Sequence, residues 1–231
     1  MINKFGWTVI SVITFLIAAE GHTASRRQLV NRINDANQYI EDMMEAPDTA
    51  IPQELMSKCR GIIILRQYKA GFILGIKGGF GVALARDENT HEWSAPSFVK
   101  SGEGSFGVQI GGQAIDSILL IMNREGMEML MKTNFKIGVD ASAAAGPLGR
   151  DAAVKIGPGT AILVYSPAKG LYAGATFEGG MLLSDDDANE KFYGKRLSSK
   201  DILFDRKVQI PAEAGKLIET LKKYQASDNS D

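Results

Sequence analysis

Two glycine-punctuated stretches constrain this chain more than any other feature. The first, Gly61 to Ala85, reads GIIILRQYKAGFILGIKGGFGVALA, and the second, Thr160 to Ser184, reads TAILVYSPAKGLYAGATFEGGMLLS. Each opens on an apolar run, passes a Lys/Ala/Gly cluster, shows glycines four apart (Gly71 and Gly75; Gly170 and Gly174) and a Gly-Gly pair, and ends apolar. The spacing returns in Gly107 and Gly111. On a membrane helix such spacing makes a packing face. On a strand it places glycines on one side, where they permit sharp bending or close backbone approach. The runs are too short to span a bilayer as helices, and Val, Ile, Phe and Tyr fill the gaps. The expectation is two hairpins in a strongly curved, mainly antiparallel, barrel-like sheet of an α+β fold.

Helices frame that sheet. Leu29, Ile33, Ala36, Ile40 and Met43 form an apolar stripe at helical spacing from Ser25 to Ala46, and Ser25 with Gln28 forms a capping box. Its arginines come early and its acids late, against the helix dipole, so packing must hold it. It either lies on the sheet or rests on a membrane surface by its basic end. Ile51 to Lys58 reads as a short helix, Asn123 caps a mid-chain helix with Met127, Leu130 and Met131 inward, and Ala212 to Tyr224 is a C-terminal helix. Asp185 to Asp187 starts a helix that Gly194 stops, and Ser198 to Val208 reads as a turn and short segment.

The chain's N-terminus, with Lys4 before apolar Phe5 to Ala19 and small residues near 21 and 24, reads as an export signal over 1–24. One domain over 25–224 and a disordered tail over 225–231 follow. The expected location is periplasmic or secreted, with possible membrane association.

Several chemistries are excluded early. A net charge of −1 leaves no basic field for nucleic acid. One cysteine, Cys59, forbids an intrachain disulfide, and with His22 and His91 as the only histidines it nearly removes metal sites and His-based triads. Cys59 between Lys58 and Arg60 reads as a buried thiol over a nucleophile. Gly102-x-Gly104-x-x-Gly107 has the dinucleotide spacing but is followed by strand, so it carries no nucleotide site. No cofactor and no metal are expected. Gly146-Pro147-Leu148-Gly149-Arg150 either presents an anion-binding turn or pairs Arg150 internally with Asp140, Asp151 or Glu178. Asp116, Asp140 and Glu178 are the acids a hydrolase would use, with too few partners in sight.

The ordered motifs GIIIL…KAGFILGIKGGFGVAL, Trp93-Ser94-x-Pro96, GSFGVQIGGQAIDSILLIMN, DASAAAGPLGRDA, YSPAKGLYAGATFEGG and AN…YG resemble the SYLF lipid-binding domain over roughly Ile51 to Leu203. That resemblance implies a non-enzymatic module binding membrane lipids, phosphoinositides in eukaryotic members, some of which also bind actin. The positions carrying it include Asp116, Asn123, Asp140, Ser142, Gly146, Pro147, Gly149, Arg150, Ser166, Glu178, Asn189 and Gly194, with no catalytic role to transfer. The candidate lipid-binding residues are Arg26, Arg27, Arg32, Lys58, Arg60, Lys69 and Arg150. The alternative is a structural or protein-interaction domain of the cell envelope.

Overall fold

The structure is a computed structural model describing residues 24–71, 74–106, 111–132, 134–149, 159–166 and 181–226. Among them, helix α1 (Arg26–Glu45) and α2 (Gln53–Lys58) precede four long strands: β1 (Gly61–Gly71), β2 (Leu74–Ala85), β3 (Ser97–Phe106) and β4 (Gly111–Ile121). Then come α3 (Arg124–Leu130), β5 (Asn134–Lys136), β6 (Ala143–Ala145), β7 (Ile162–Tyr165), β8 (Met181–Ser184), α4 (Asp186–Tyr193), α5 (Ser199–Leu203) and α6 (Gly215–Gln225).

One sheet holds all eight strands in the order β5-β8-β3-β2-β1-β4-β7-β6, antiparallel except β6 with β7. A flat sheet of this size would set its edges roughly 34 Å apart. Yet edge strands β5 and β6 are joined by six residues folded into a tight turn. Asp140 N–H donates to the Lys136 carbonyl at 2.8 Å and Gly138 N–H to the Ala141 carbonyl at 2.9 Å. The sheet must therefore curl until its edges meet at this turn, the curved α+β fold that the glycine pattern predicts.

Both faces of the curl are buried where β1 begins, which is why Ile62 to Leu65 is continuously apolar. Ile63, Leu65, Ala83, Val99, Leu119, Phe135, Val164 and Leu182 cluster with α3 and Leu203; such contact among strands from across the sheet is possible only on its concave side. Ile62, Ile64, Val82, Leu84, Phe98, Ile118 and Leu120 face outward, under α1, α2, α4 and α6.

The predicted stripe of α1 is buried, with the Ser25–Gln28 capping box formed. Asn123 caps α3, but Met131 falls outside its inner face and is exposed. α5 is a helix where the sequence reads as a turn; its capping box of Ser198 and Asp201 was the missed signal.

The glycine reading needs two corrections. Gly71 and Gly75 do not share a strand: they face each other across the β1–β2 hairpin, which turns two residues later than the Lys/Ala/Gly cluster suggests. The second stretch does not close as a hairpin within the described residues. Its first arm, β7, pairs with β4 and β6, while its last, β8, pairs with β3 and β5. Similar local patterns leave the partner open, because any exposed strand edge of matching register satisfies them. Residues 167–180, with Gly170 and Gly174, and Gly107 lie outside the described residues.

Candidate functional site

Among the described residues, two grooves combine charge with apolar surface. The first lies between α1 and the outer face of the sheet. Arg32, Asp35, Ala36 and Tyr39 lie along one side of α1, at spacings that put them on a common face. Below them, Arg66 grips Asp116 across the β1–β4 pair with two parallel bonds, Nε to Oδ1 at 2.7 Å and Nη2 to Oδ2 at 2.9 Å. Asp35 reaches Arg66 at 3.6 Å, and the hydroxyls of Tyr39 and Ser166 donate to the Asp116 carbonyl at 3.0 and 3.2 Å. The fork with Asp116 raises the Arg66 pKa above its already high value, and burial raises that of Tyr39. Arg32 pairs with Asp185 at 3.3 Å and lies 4.3 Å from the centre of the Phe80 ring. Tyr68 and Phe80 stand exposed beside this network. The groove encloses about 80 Å³, room for two or three waters and no acyl chain.

The second groove lies where β1 begins and β2 ends. The pairing of Gly61 with Ala85 continues outward, as Arg86 N–H donates to the Arg60 carbonyl at 2.8 Å. This brings the two arginines together over a floor of Met127, Leu203 and Phe204. Arg206 completes the rim: it donates to the Glu92 carbonyl at 2.8 Å and lies 3.9 Å from Asp87. Asp87 accepts from the backbone N–H groups of Asn89 and Thr90 at 2.9 and 2.8 Å. Those bonds, with Arg206 nearby, hold its carboxyl below the usual range. Arg60 pairs with Glu88 at the surface, where such pairs break at little cost. Arg86, half-buried, has no carboxylate partner among the described residues. The groove holds about 260 Å³. The two described non-glycine residues with left-handed backbone, His91 at φ 58° and Arg206 at φ 49°, are here: Arg206 on the rim, His91 in the loop that supplies it. Strain of this kind concentrates at functional sites.

The seven sequence candidates do not form one patch. Arg26 pairs with Glu213 at 2.7 Å and lies over the Phe192 ring. Arg27 is exposed, with no ion pair among the described residues. Arg32 lines the first groove, Lys58 pairs with Glu54 on α2, and Arg60 alone lines the second groove. The Lys69 side chain and Arg150 lie outside what is described. In the turn that precedes Arg150, the Gly146 and Gly149 N–H groups donate to the carbonyls of Val164 and Ala50. Arg86 and Arg206 were missed. The hairpin register would have exposed Arg86, because pairing Gly61 with Ala85 puts residue 86 beside residue 60. Nothing local marks Arg206, which joins the rim through the tertiary placement of α5.

Several of the described positions that carry the family resemblance are architectural. Asn123 caps α3, and Asp140 accepts from Lys136 N–H at 2.6 Å to close the edge turn. Ser142 binds Ala161 N–H at 3.0 Å, and Gly194 ends α4 in the left-handed region. Gly146 lies against the Tyr165 ring, where any side chain would overlap it. Cys59 is a buried thiol donating to the Met56 carbonyl, with its pKa pushed up to about 12 by burial.

Comparison with known proteins agrees with this frame. The family model described as "Ysc84: Las17-binding protein actin regulator" matches residues 102–224. The chain is 34% identical over 181 residues to SH3 domain-containing YSC84-like protein 1 of Rattus norvegicus, covering 77% of this chain and 53% of that protein. It is 33% identical over 180 residues to Protein YSC84 of Saccharomyces cerevisiae, covering 76% of this chain and 38% of that protein. The Xenopus laevis YSC84-like protein matches at 33% over 192 residues, 80% of this chain and 57% of that protein. The chain thus spans about half the length of the curated relatives it matches, or less. No solved structure matches it significantly. On the extent of the family match, and on motifs that now have defined places in one curled sheet, the chain belongs to the Ysc84 family, whose domain is the SYLF domain.

Proposed function

We propose that this chain is a non-enzymatic module of the cell envelope that binds membrane lipid, taking a phospholipid-type headgroup in the groove at the end of the β1–β2 pair. One observation carries the reading. Arg60, Arg86 and Arg206 rim an apolar floor of Met127, Leu203 and Phe204, and half-buried Arg86 has no carboxylate partner among the described residues. A guanidinium binds phosphate through paired N–H donors, and the floor suits the first carbons of an acyl chain. The reading of residues 1–24 as an export signal favours a periplasmic or secreted location; mature protein starting near residue 22 or 25 is the expected result of N-terminal sequencing.

Vesicle co-sedimentation tests the groove. Each bond to an ionised phosphate contributes on the order of 1.5–3 kcal/mol. Arg86→Ala should therefore weaken binding to anionic vesicles about tenfold or more, and Arg60→Ala with Arg86→Ala further still. Undiminished binding by the double variant would remove the groove from the function. Exposed Tyr68 and Phe80 favour a second reading, a protein partner docked beside α1. The family's description as a Las17-binding protein is consistent with protein contacts. Loss of vesicle binding across all lipid compositions, with an envelope protein retained by wild type but not by Tyr68→Ala, would favour that reading.

A further inference from the structure

The β2–β3 loop that walls the arginine groove is held by two side chains from distant parts of the chain. Arg206, on the rim, donates to the Glu92 carbonyl at 2.8 Å. Gln225, in the last turn of α6, donates to the His91 carbonyl at 3.2 Å. The two grip consecutive carbonyls of one loop, so their bonding nitrogens lie no more than roughly 12 Å apart. A second tie fixes the end of the helix: Gln53, at the start of α2, donates to the Ala226 carbonyl. The chain therefore leaves α6 between the loop that carries Asp87 and Glu88 and the helix that leads into Arg60. Gln225 Oε1 is buried there without a partner among the described residues. The next donors along the chain are the N–H and hydroxyl of Ser227.

The charges of the groove do not balance among the described residues. Three guanidinium groups meet two carboxylates of the loop: Glu88 pairs with Arg60, and Asp87 lies 3.9 Å from Arg206. Half-buried Arg86 is left over. Residues 227–231 read Ser-Asp-Asn-Ser-Asp, two carboxylates and no cation. Five residues span at most roughly 17 Å, enough to bring a carboxylate from Ala226 to the rim. A tether this short gives an effective concentration on the order of millimolar, which favours contacts too weak to form between separate molecules.

We propose that residues 227–231 dock on the arginine groove, pairing their aspartates with Arg86, and so compete with any anion that the groove takes. The docking itself stands on the charges and the tether; only its consequence for vesicles rests on the lipid-binding reading of the groove. Lys222 and Lys223, in the last turn of α6, are the rival partners for the same carboxylates.

The test uses the full chain with Asp228→Asn and Asp231→Asn together, which removes charge and keeps length and shape. In NMR spectra of the free protein at low salt, the Arg86 Nε–H signal should differ between wild type and this variant. High salt should erase the difference, and the signal of exposed Arg27 should stay in place. Binding to mixed phosphatidylcholine and phosphatidylglycerol vesicles should tighten by roughly twofold to tenfold in the variant, the range for one or two exposed ion pairs. That gain should be absent when Arg86→Ala is present as well. Glu45→Gln with Glu219→Gln changes the net charge equally at exposed acids elsewhere and should give no such gain. An Arg86 signal that does not move, or a shift confined to the Lys222 and Lys223 ammonium groups, would overturn the docking. Equal tightening by the Glu45 and Glu219 variant would overturn the competition. A moved Arg86 signal with unchanged vesicle binding would uphold the docking and remove the groove from lipid binding.

Discussion

Gly81 and Gly102 show how differently one residue type acts at two places on the same sheet. A side chain at Gly81 would overlap the Ile64 carbonyl oxygen and press on Leu65 Cα in the adjacent strand, both of them backbone atoms that cannot rotate away. At Gly102 an added Cβ meets nothing. Gly81→Ala should therefore destabilise by on the order of 3 kcal/mol, while Gly102→Ala should be neutral or stabilising by up to about 1 kcal/mol; urea denaturation of the two variants measures both. The sequence exposes the glycine density but not which glycines are needed, since that depends on how tightly the neighbouring strand coils past. Cys59 makes the same point through electrostatics. Its charged neighbours in sequence suggest a lowered pKa, yet full burial raises it to about 12. Because the folded value exceeds the ordinary one, the folded state holds the proton more firmly. The resulting stabilisation is complete below about pH 9 and is lost as pH rises toward 12. Urea midpoints between about pH 8 and pH 11 should fall more steeply for wild type than for Cys59→Ala. A parallel decline in the two proteins would rule out this contribution.

Among the elements, β8 is only four residues long, and α4 takes over where it stops. The Asp185 N–H donates to the Phe98 carbonyl at 3.0 Å, and the fully buried Asn189 side chain accepts from the Phe98 N–H at 2.8 Å. A helix side chain thus completes the ladder of β3, while the Asn189 amide nitrogen donates to Ser97 Oγ at 3.3 Å. Asn189→Ala leaves a buried strand N–H unpaired and should destabilise by roughly 2–3 kcal/mol. Hydrogen exchange should show the Phe98 amide losing protection first; unchanged protection there would contradict this role. The caps and the stripe of α1 were legible because both are encoded within a few residues. Asn189 was visible only as a position shared with a family. Its work is done 91 residues away in the chain.

For the molecule as a whole, the boundaries of the family match and of the fold differ. The match covers 102–224, but the partners of that region's principal elements precede it. β4 pairs with β1, β3 pairs with β2, and α6 packs on α1 and α2. Expressed alone, 102–224 should lack stable structure by circular dichroism and give a collapsed amide spectrum, while 24–226 should fold. A cooperative unfolding transition from the shorter fragment would show that the β1–β2 hairpin is dispensable. The arginine groove belongs to this scale as well, because α3, α5 and the ends of two strands supply it.

The amino-acid order alone determined where most helices and the long strands lie and that the sheet curves, because propensity, capping and apolar spacing act over a few residues. Tertiary structure alone decided that the arms of the second glycine stretch join opposite flanks of the sheet. It also decided that Arg86 and Arg206 meet Arg60, and that Gln67 and Ser117 are buried on one face of the sheet. Strand partners and side-chain convergence follow from how the sheet closes on itself, and closure depends on contacts between segments far apart in the chain.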